Sequence, residues 1–89
     1  MKIVTNSCYG GFSLPEEFCN LYGFSTYGDI ERTDSRLIGF VESKGGCVKE
    51  HCACLVVDEI PDEATDWEIS EYDGYESIIC VVDGKIRHI

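Results

Sequence analysis

Two Asp-Gly pairs, Asp73-Gly74 and Asp83-Gly84, constrain the fold of this chain more than any other sequence feature. Each pair lies between short runs that are rich in β-branched and aromatic residues. Asp-Gly favours the type I′ turn of a tight hairpin, because both central positions of that turn require positive φ. Two such turns in succession predict a three-stranded antiparallel meander over residues 66–89.

The first half of the chain carries two helical patterns. The first helix is predicted over residues 14–22. Ser13, followed three residues later by Glu16, matches a capping box before it, and Gly23 is placed to end it after about two turns. A second helix follows Thr33 or Asp34, either of which can cap it. Its apolar positions recur at helical spacing, and glycines end it at 45 and 46.

Strand patterns at residues 1–5 and 52–60 complete an α+β arrangement. We expect one small domain over residues 1–89, in which two short helices pack on an antiparallel sheet and the meander follows. A domain of this length buries only about 60 to 65% of its unfolded surface, so its core is marginal.

The charge balance narrows the classes of function. Seventeen acidic residues against seven basic ones give a net charge of −10. This charge argues against direct binding to nucleic acid or to an anionic membrane, and it favours either high solubility or a basic partner. The sequence contains no apolar run of signal-peptide or membrane-span type, which predicts a soluble protein of the cytoplasm.

The stretch GGCVKEHCACLVV at 45–57 concentrates three cysteines and a histidine. In a reducing cytosol, the six cysteines of the chain point to a metal or to reduced thiols rather than to a disulfide framework. On a strand Cys52 and Cys54 share one face, and Cys47 can fold back over them. Thiolates are preferred zinc donors, so we predict a structural Zn²⁺ held by Cys47, Cys52, Cys54 and Cys80, with His51 as the alternative fourth ligand.

Other interpretations of the cysteines stay open. They can be buried reduced thiols or form disulfides, and Cys8 and Cys19 fit the core-thiol interpretation. A nucleophilic pair of Cys8 with His51 is conceivable, but nothing in the sequence places a third group to orient it. We therefore expect no enzymatic activity.

Three segments resemble a family of small proteins encoded by phages and prophages: NSCYGGFSLP at 6–15, RTDSRLIGFVES at 32–43 and IPDEATDWEISEYDGYESI at 60–78. The resemblance covers nearly the whole chain except the cysteine-rich insert at 47–54. Within this group the sequence is similar to type II anti-CRISPR proteins from prophages of Gram-positive bacteria, some of which carry zinc. The shared motifs contain no catalytic residue that could be transferred.

The resemblance implies a partner, the type II CRISPR effector nuclease of the host bacterium, and inhibition that hinders loading of target DNA. Between residues 58 and 76, nine of nineteen residues are acidic and none is basic. We expect this segment to bind the partner through its carboxylates, with Trp67 and either Tyr72 or Tyr75 as aromatic anchors. The predicted acidic contacts are Asp58, Glu59, Asp62, Glu63, Asp66, Glu68, Glu71 and Asp73. The alternative is a non-catalytic phage structural or regulatory binding protein with a structural zinc site.

The cysteine pattern predicts that the purified protein carries one zinc ion per chain. Cys54→Ser should lower the melting temperature and the metal content, because a structural zinc contributes directly to folding. Cys19→Ser is the matched control and should leave the metal content intact. Elemental analysis after preparation without chelator tests this, and well under half an ion per chain would contradict it.

Overall fold

The computed structural model describes residues 1–48 and 53–89, and this part of the chain has the predicted α+β architecture. It contains two helices and six strands: β1 Lys2–Asn6, α1 Glu16–Tyr22, α2 Ser35–Lys44, β2 Cys47–Val48, β3 Ala53–Glu59, β4 Asp66–Tyr72, β5 Tyr75–Val82 and β6 Lys85–His88. The strands form two antiparallel sheets, with orders β1-β3-β2 and β4-β5-β6.

The first sheet lies between the helices and the second sheet. The neighbouring β1 residues Ile3 and Val4 are both fully buried, and they point to opposite faces because side chains alternate along a strand. Val4 belongs to a helix-side core, whereas Ile3 belongs to an inter-sheet core. The helix-side core consists of Val4, Leu14, Phe18, Leu37, Phe40, Val41 and Leu55, and the inter-sheet core of Ile3, Ile60, Ile78, Cys80 and Val82.

The start of α1 differs from the sequence prediction. Its N-cap residue is Pro15, no side chain caps it, and Ser13 lies two residues before the cap. Instead, the Leu14 N–H donates to the carbonyl of Thr26. This bond ties the segment before α1 to the loop after it, and no capping box forms. The predicted end is confirmed, because Gly23 adopts the left-handed conformation with φ 76°.

Asp34 is confirmed as the N-cap of α2. Its carboxylate accepts from the Arg36 backbone N–H at 2.8 Å and also pairs with the Arg36 guanidinium. The Arg36 side-chain hydrogen bond lowers the pKa of Asp34 below its usual value. A carboxyl group with a lowered folded pKa stabilises the fold above its unfolded pKa, near pH 4, and this stabilisation is lost as the pH falls through the folded pKa.

Both predicted hairpins of the meander are present. Asp73 and Gly74 have φ of 52° and 90°, and Asp83 and Gly84 have φ of 53° and 74°. Positive φ at both central positions fits the type I′ turn that the two Asp-Gly pairs favour.

Asn6 connects the two sheets at the end of β1. Its side chain is fully buried. The amide Nδ2 donates to the carbonyls of Gly74 at 2.8 Å and Cys8 at 2.9 Å, and Oδ1 accepts from the Cys54 N–H at 2.9 Å. One side chain thus satisfies backbone groups from β3, from the β4–β5 turn and from the loop after β1.

Glu76 on β5 completes this connection. It accepts from the Asn6 backbone N–H at 2.9 Å and forms a two-pronged ion pair with Arg32. The Arg32 guanidinium also stacks on the Phe12 ring, 3.5 Å from its centroid. We call Asn6, Arg32 and Glu76 the sheet junction.

Glu76→Ala should lower the free energy of unfolding by about 3 kcal/mol, because it leaves the partly buried Arg32 guanidinium and the Asn6 N–H without their acceptor. Urea unfolding followed by circular dichroism measures this change. Glu63→Ala, at an exposed carboxylate, is the matched control and should change stability by less than about 0.5 kcal/mol. Equal stability of the two variants would contradict the assigned role of the junction.

Candidate functional site

Strand β4 forms one edge of the second sheet, next to β5. All its residues are exposed except Ile69, which packs against the inter-sheet core. Its carboxylates, Asp66, Glu68 and Glu71, therefore lie along an open sheet edge. Charges on an edge strand also discourage edge-to-edge pairing with other chains, so part of this pattern serves solubility.

The structure exposes most of the acidic residues that the sequence predicts as partner contacts. We define the acidic surface by the seven exposed carboxylates: Glu59, Asp62, Glu63, Asp66, Glu68, Glu71 and Asp73. Asp58 differs from them, because it is half-buried and accepts a hydrogen bond from the Thr5 hydroxyl at 2.8 Å. This bond ties Asp58 to β1, and Asp58 is the least accessible of the predicted contacts.

Most basic side chains among the described residues form ion pairs with carboxylates outside the acidic surface. Lys2 pairs with Glu42 and Lys44 with Glu17 on the helix side, and Arg36 pairs with Asp34. Arg32 pairs with Glu76 at the sheet junction. Within residues 1–48 and 53–89, the one ion pair of the acidic surface joins Asp62 to the terminal amino group at 3.4 Å. The acidic surface therefore keeps most of its negative charge.

The outer face of the second sheet adds an apolar contact that the sequence analysis did not identify. Asp66 pairs with Val81 and Glu68 with Ile79 across β4 and β5, and Ile86 of β6 pairs with Val81 from the other side. These residues, together with Trp67, line a groove of about 200 Å³. We call it the outer groove. The sequence contains the pattern for this groove, because Ile79 and Val81 alternate with the inward-facing Ile78, Cys80 and Val82 and therefore face outward.

The predicted aromatic anchors are accessible to different degrees. Trp67 is 37% exposed and borders both the outer groove and a second hollow beside Ile60. Tyr72 is exposed at the end of β4. Tyr75 is also exposed, but its ring contacts that of Tyr9 at a centroid distance of 5.4 Å. Trp67 and Tyr72 are thus the anchors better placed to meet a partner.

The predicted zinc ligands occupy two regions. Cys47 and Cys54 face each other across β2 and β3, whereas Cys80 is buried in the inter-sheet core, where no other cysteine of the described residues lies. Cys52 and the alternative ligand His51 lie outside the described residues. Within the part of the chain that is described, no group of three or more His, Cys, Asp or Glu side chains is arranged to hold a metal. The zinc site stays a prediction.

The two remaining cysteines are half-buried. Cys19 packs against the helix-side core, and burial raises the pKa of its thiol. Cys8 lies in the loop after β1, where its N–H and carbonyl both bond to the Asn6 side chain. Its hypothetical partner His51 is not among the described residues.

No helix in residues 1–48 and 53–89 is long and apolar enough to cross a membrane. Comparison of the chain with protein-family models, with curated proteins and with solved structures gives no match. The resemblance to phage-encoded anti-CRISPR proteins therefore stays a prediction from the sequence motifs.

Proposed function

We propose that this protein is a non-catalytic, phage-encoded inhibitor that binds a type II CRISPR effector nuclease through the acidic surface and hinders loading of target DNA. The observation that carries the proposal is the set of seven exposed carboxylates, concentrated on β4 and the segment before it. The choice of a type II effector as the partner comes from the resemblance of the three sequence segments to type II anti-CRISPR proteins.

The charge of the partner makes this contact favourable. A type II effector holds the guide RNA and the target strand in a positively charged channel, which reads the backbone of the heteroduplex. Carboxylates two residues apart on a strand, such as Asp66 and Glu68, are spaced by about 6.6 Å and form a row of negative charge. A row of this kind competes with a phosphate backbone for lysine and arginine side chains.

Apolar contacts would supply the selectivity that charge lacks. A purely acidic surface attracts any basic protein, whereas binding energy at interfaces concentrates on a few aromatic and aliphatic anchors. Trp67 and the outer groove lie directly beside Asp66 and Glu68. We propose that this groove receives an apolar side chain of the effector while the carboxylates meet its cations.

The alternative is a non-catalytic phage structural or regulatory binding protein that presents the same acidic surface to another basic partner, with zinc as a structural element. The exposed charge favours both functions equally. Capture from host lysate by the tagged protein distinguishes them, because the leading proposal requires the effector to be the main captured species and the alternative requires another protein.

Reversing two charges tests the acidic surface. Asp66→Lys with Glu68→Lys should weaken binding to the effector roughly tenfold or more, because exposed opposite charges steer association and hold the complex. Asp29→Lys with Glu31→Lys is the matched control, since it makes the same charge change at exposed positions outside the acidic surface. Affinity is measured by biolayer interferometry at two salt concentrations, and the melting temperatures of both variants should stay near that of the original protein.

The order of addition tests the mechanism in the same system. In a gel shift, inhibitor added before the target duplex should block its loading, and inhibitor added afterwards should have little effect. Full inhibition of an effector already bound to target, or equal affinity of the two charge-reversed variants, would contradict the proposal.

Changing one exposed apolar residue tests the outer groove. Ile86→Ser should weaken effector binding roughly tenfold or more while leaving its salt dependence unchanged, because burial of an aliphatic side chain contributes about 1.5 to 3 kcal/mol independently of charge. Ile86 is 70% exposed, so its replacement should hardly alter folding. Leu21→Ser is the matched control, at a 59% exposed leucine on α1. Equal loss of affinity in both variants would contradict a contact at this groove.

A further inference from the structure

Cys47 and Cys54 are directly opposite each other in the antiparallel pair of β2 and β3. Residues in register across antiparallel strands place their side chains on the same face. Leu55 packs in the helix-side core, so the adjacent Cys54 points to the other face of the first sheet. Cys47 shares that face.

The hydrogen bonds around Cys54 show which type of cross-strand pair it forms. Its backbone N–H donates to the Asn6 Oδ1 at 2.9 Å, and its carbonyl accepts from the Ser7 N–H at 2.8 Å. Both groups are directed toward β1, away from β2. The next residue, Leu55, instead donates to the Gly46 carbonyl at 2.8 Å. Cys47 and Cys54 are therefore a non-hydrogen-bonded pair.

This geometry suits a disulfide. In a non-hydrogen-bonded antiparallel pair the Cα atoms are about 4.5 Å apart and the side chains approach more closely than in the other type of pair. Disulfides span Cα separations of about 4.4 to 6.8 Å. The backbone thus already holds the two cysteines at a separation that the bond tolerates.

We propose that Cys47 and Cys54 form a redox-reactive dithiol that a low-molecular-weight disulfide, such as oxidised glutathione, converts to a cross-strand disulfide. Cys47 is exposed and Cys54 is half-buried, so the small disulfide reaches Cys47 first. The Cys47 sulfur bonds to one glutathione sulfur and releases the other as a thiol. The Cys54 sulfur then bonds to the Cys47 sulfur and displaces the second glutathione thiol. The protein loses two hydrogens, and one disulfide is reduced to two thiols.

The bond would fix β2 on the first sheet. β2 contains only two residues, and its pairing with β3 depends on Cys47, Val48 and the Gly46 carbonyl. Closing the short ring between Cys47 and Cys54 restricts the unfolded chain and should raise the melting temperature by about 5 to 15 °C. This inference does not depend on the identity of the binding partner.

The experiment treats the reduced full-length protein with defined ratios of reduced and oxidised glutathione, then traps thiols with N-ethylmaleimide. Peptide mass spectrometry should find a linkage between Cys47 and Cys54, with a mass lower by two hydrogens. Dithiothreitol should reverse both the linkage and the rise in melting temperature. Cys52→Ser and Cys19→Ser should retain the linkage, and Cys47→Ser should abolish it. Circular dichroism of each variant verifies that it folds.

Three results would overturn the proposal. One is a linkage in the original protein that joins Cys52 to either of the two cysteines instead of joining Cys47 to Cys54. Another is the absence of any intramolecular linkage in excess oxidised glutathione. The third is one bound zinc ion per chain that protects both thiols under the same conditions, which would assign the pair to the metal.

Discussion

The buried side chain of Asn6 is the interaction on which the arrangement of the two sheets depends. It bonds to backbone groups of the β4–β5 turn, of β3 and of the loop after β1. A buried amide that satisfies several backbone groups is costly to replace, because each group left without a partner destabilises the fold by about 1 to 3 kcal/mol. Glu76 and Arg32 extend this connection with charge-assisted hydrogen bonds. The orientation of the second sheet, and with it the position of β4, follows from these contacts.

The junction also explains how the charges are distributed. Arg32 is directed inward and is neutralised by Glu76, and three further cations pair with carboxylates on or beside the helices. The acidic residues of β4 face solvent at a sheet edge, and Glu59, Asp62 and Glu63 before it are also exposed. Of these four ion pairs, only Arg32 with Glu76 is substantially buried, so it contributes most to stability, whereas the exposed pairs contribute little. The acidic surface remains open to solvent.

The sequence predicted those turns and helix ends that are determined by interactions between residues a few positions apart. The Asp-Gly pairs specify the meander through positive φ, and Asp34 specifies the start of α2 through a bond to the second residue after it. The prediction that Ser13 caps α1 was wrong, because a capping-box pattern does not show which residue directly precedes the first turn of the helix. The structure places Pro15 at that position. The sequence likewise indicated the acidic segment but not which carboxylate would be partly buried; it is Asp58, which accepts a hydrogen bond from Thr5.

Long-range contacts were not predictable from these patterns. Asn6 and Glu76 are separated by 70 positions, and periodicity contains no information about a polar pair of that kind. The division of the strands into two sheets, and the outer groove formed by Ile79, Val81 and Ile86, depend on the same long-range arrangement. The opposition of Cys47 and Cys54 was also missed, because the two-residue strand β2 is too short to leave a pattern.

We propose that β4 and the outer groove form the surface that binds a type II effector. Hydrogen exchange of the protein alone and in complex with the effector tests this surface, because exchange reports protection along the backbone. Formation of the complex should slow exchange in Asp66–Tyr72 and Lys85–His88 and leave exchange in α1 unchanged. Protection confined to α1 and α2, with β4 exchanging as in the unbound protein, would contradict it.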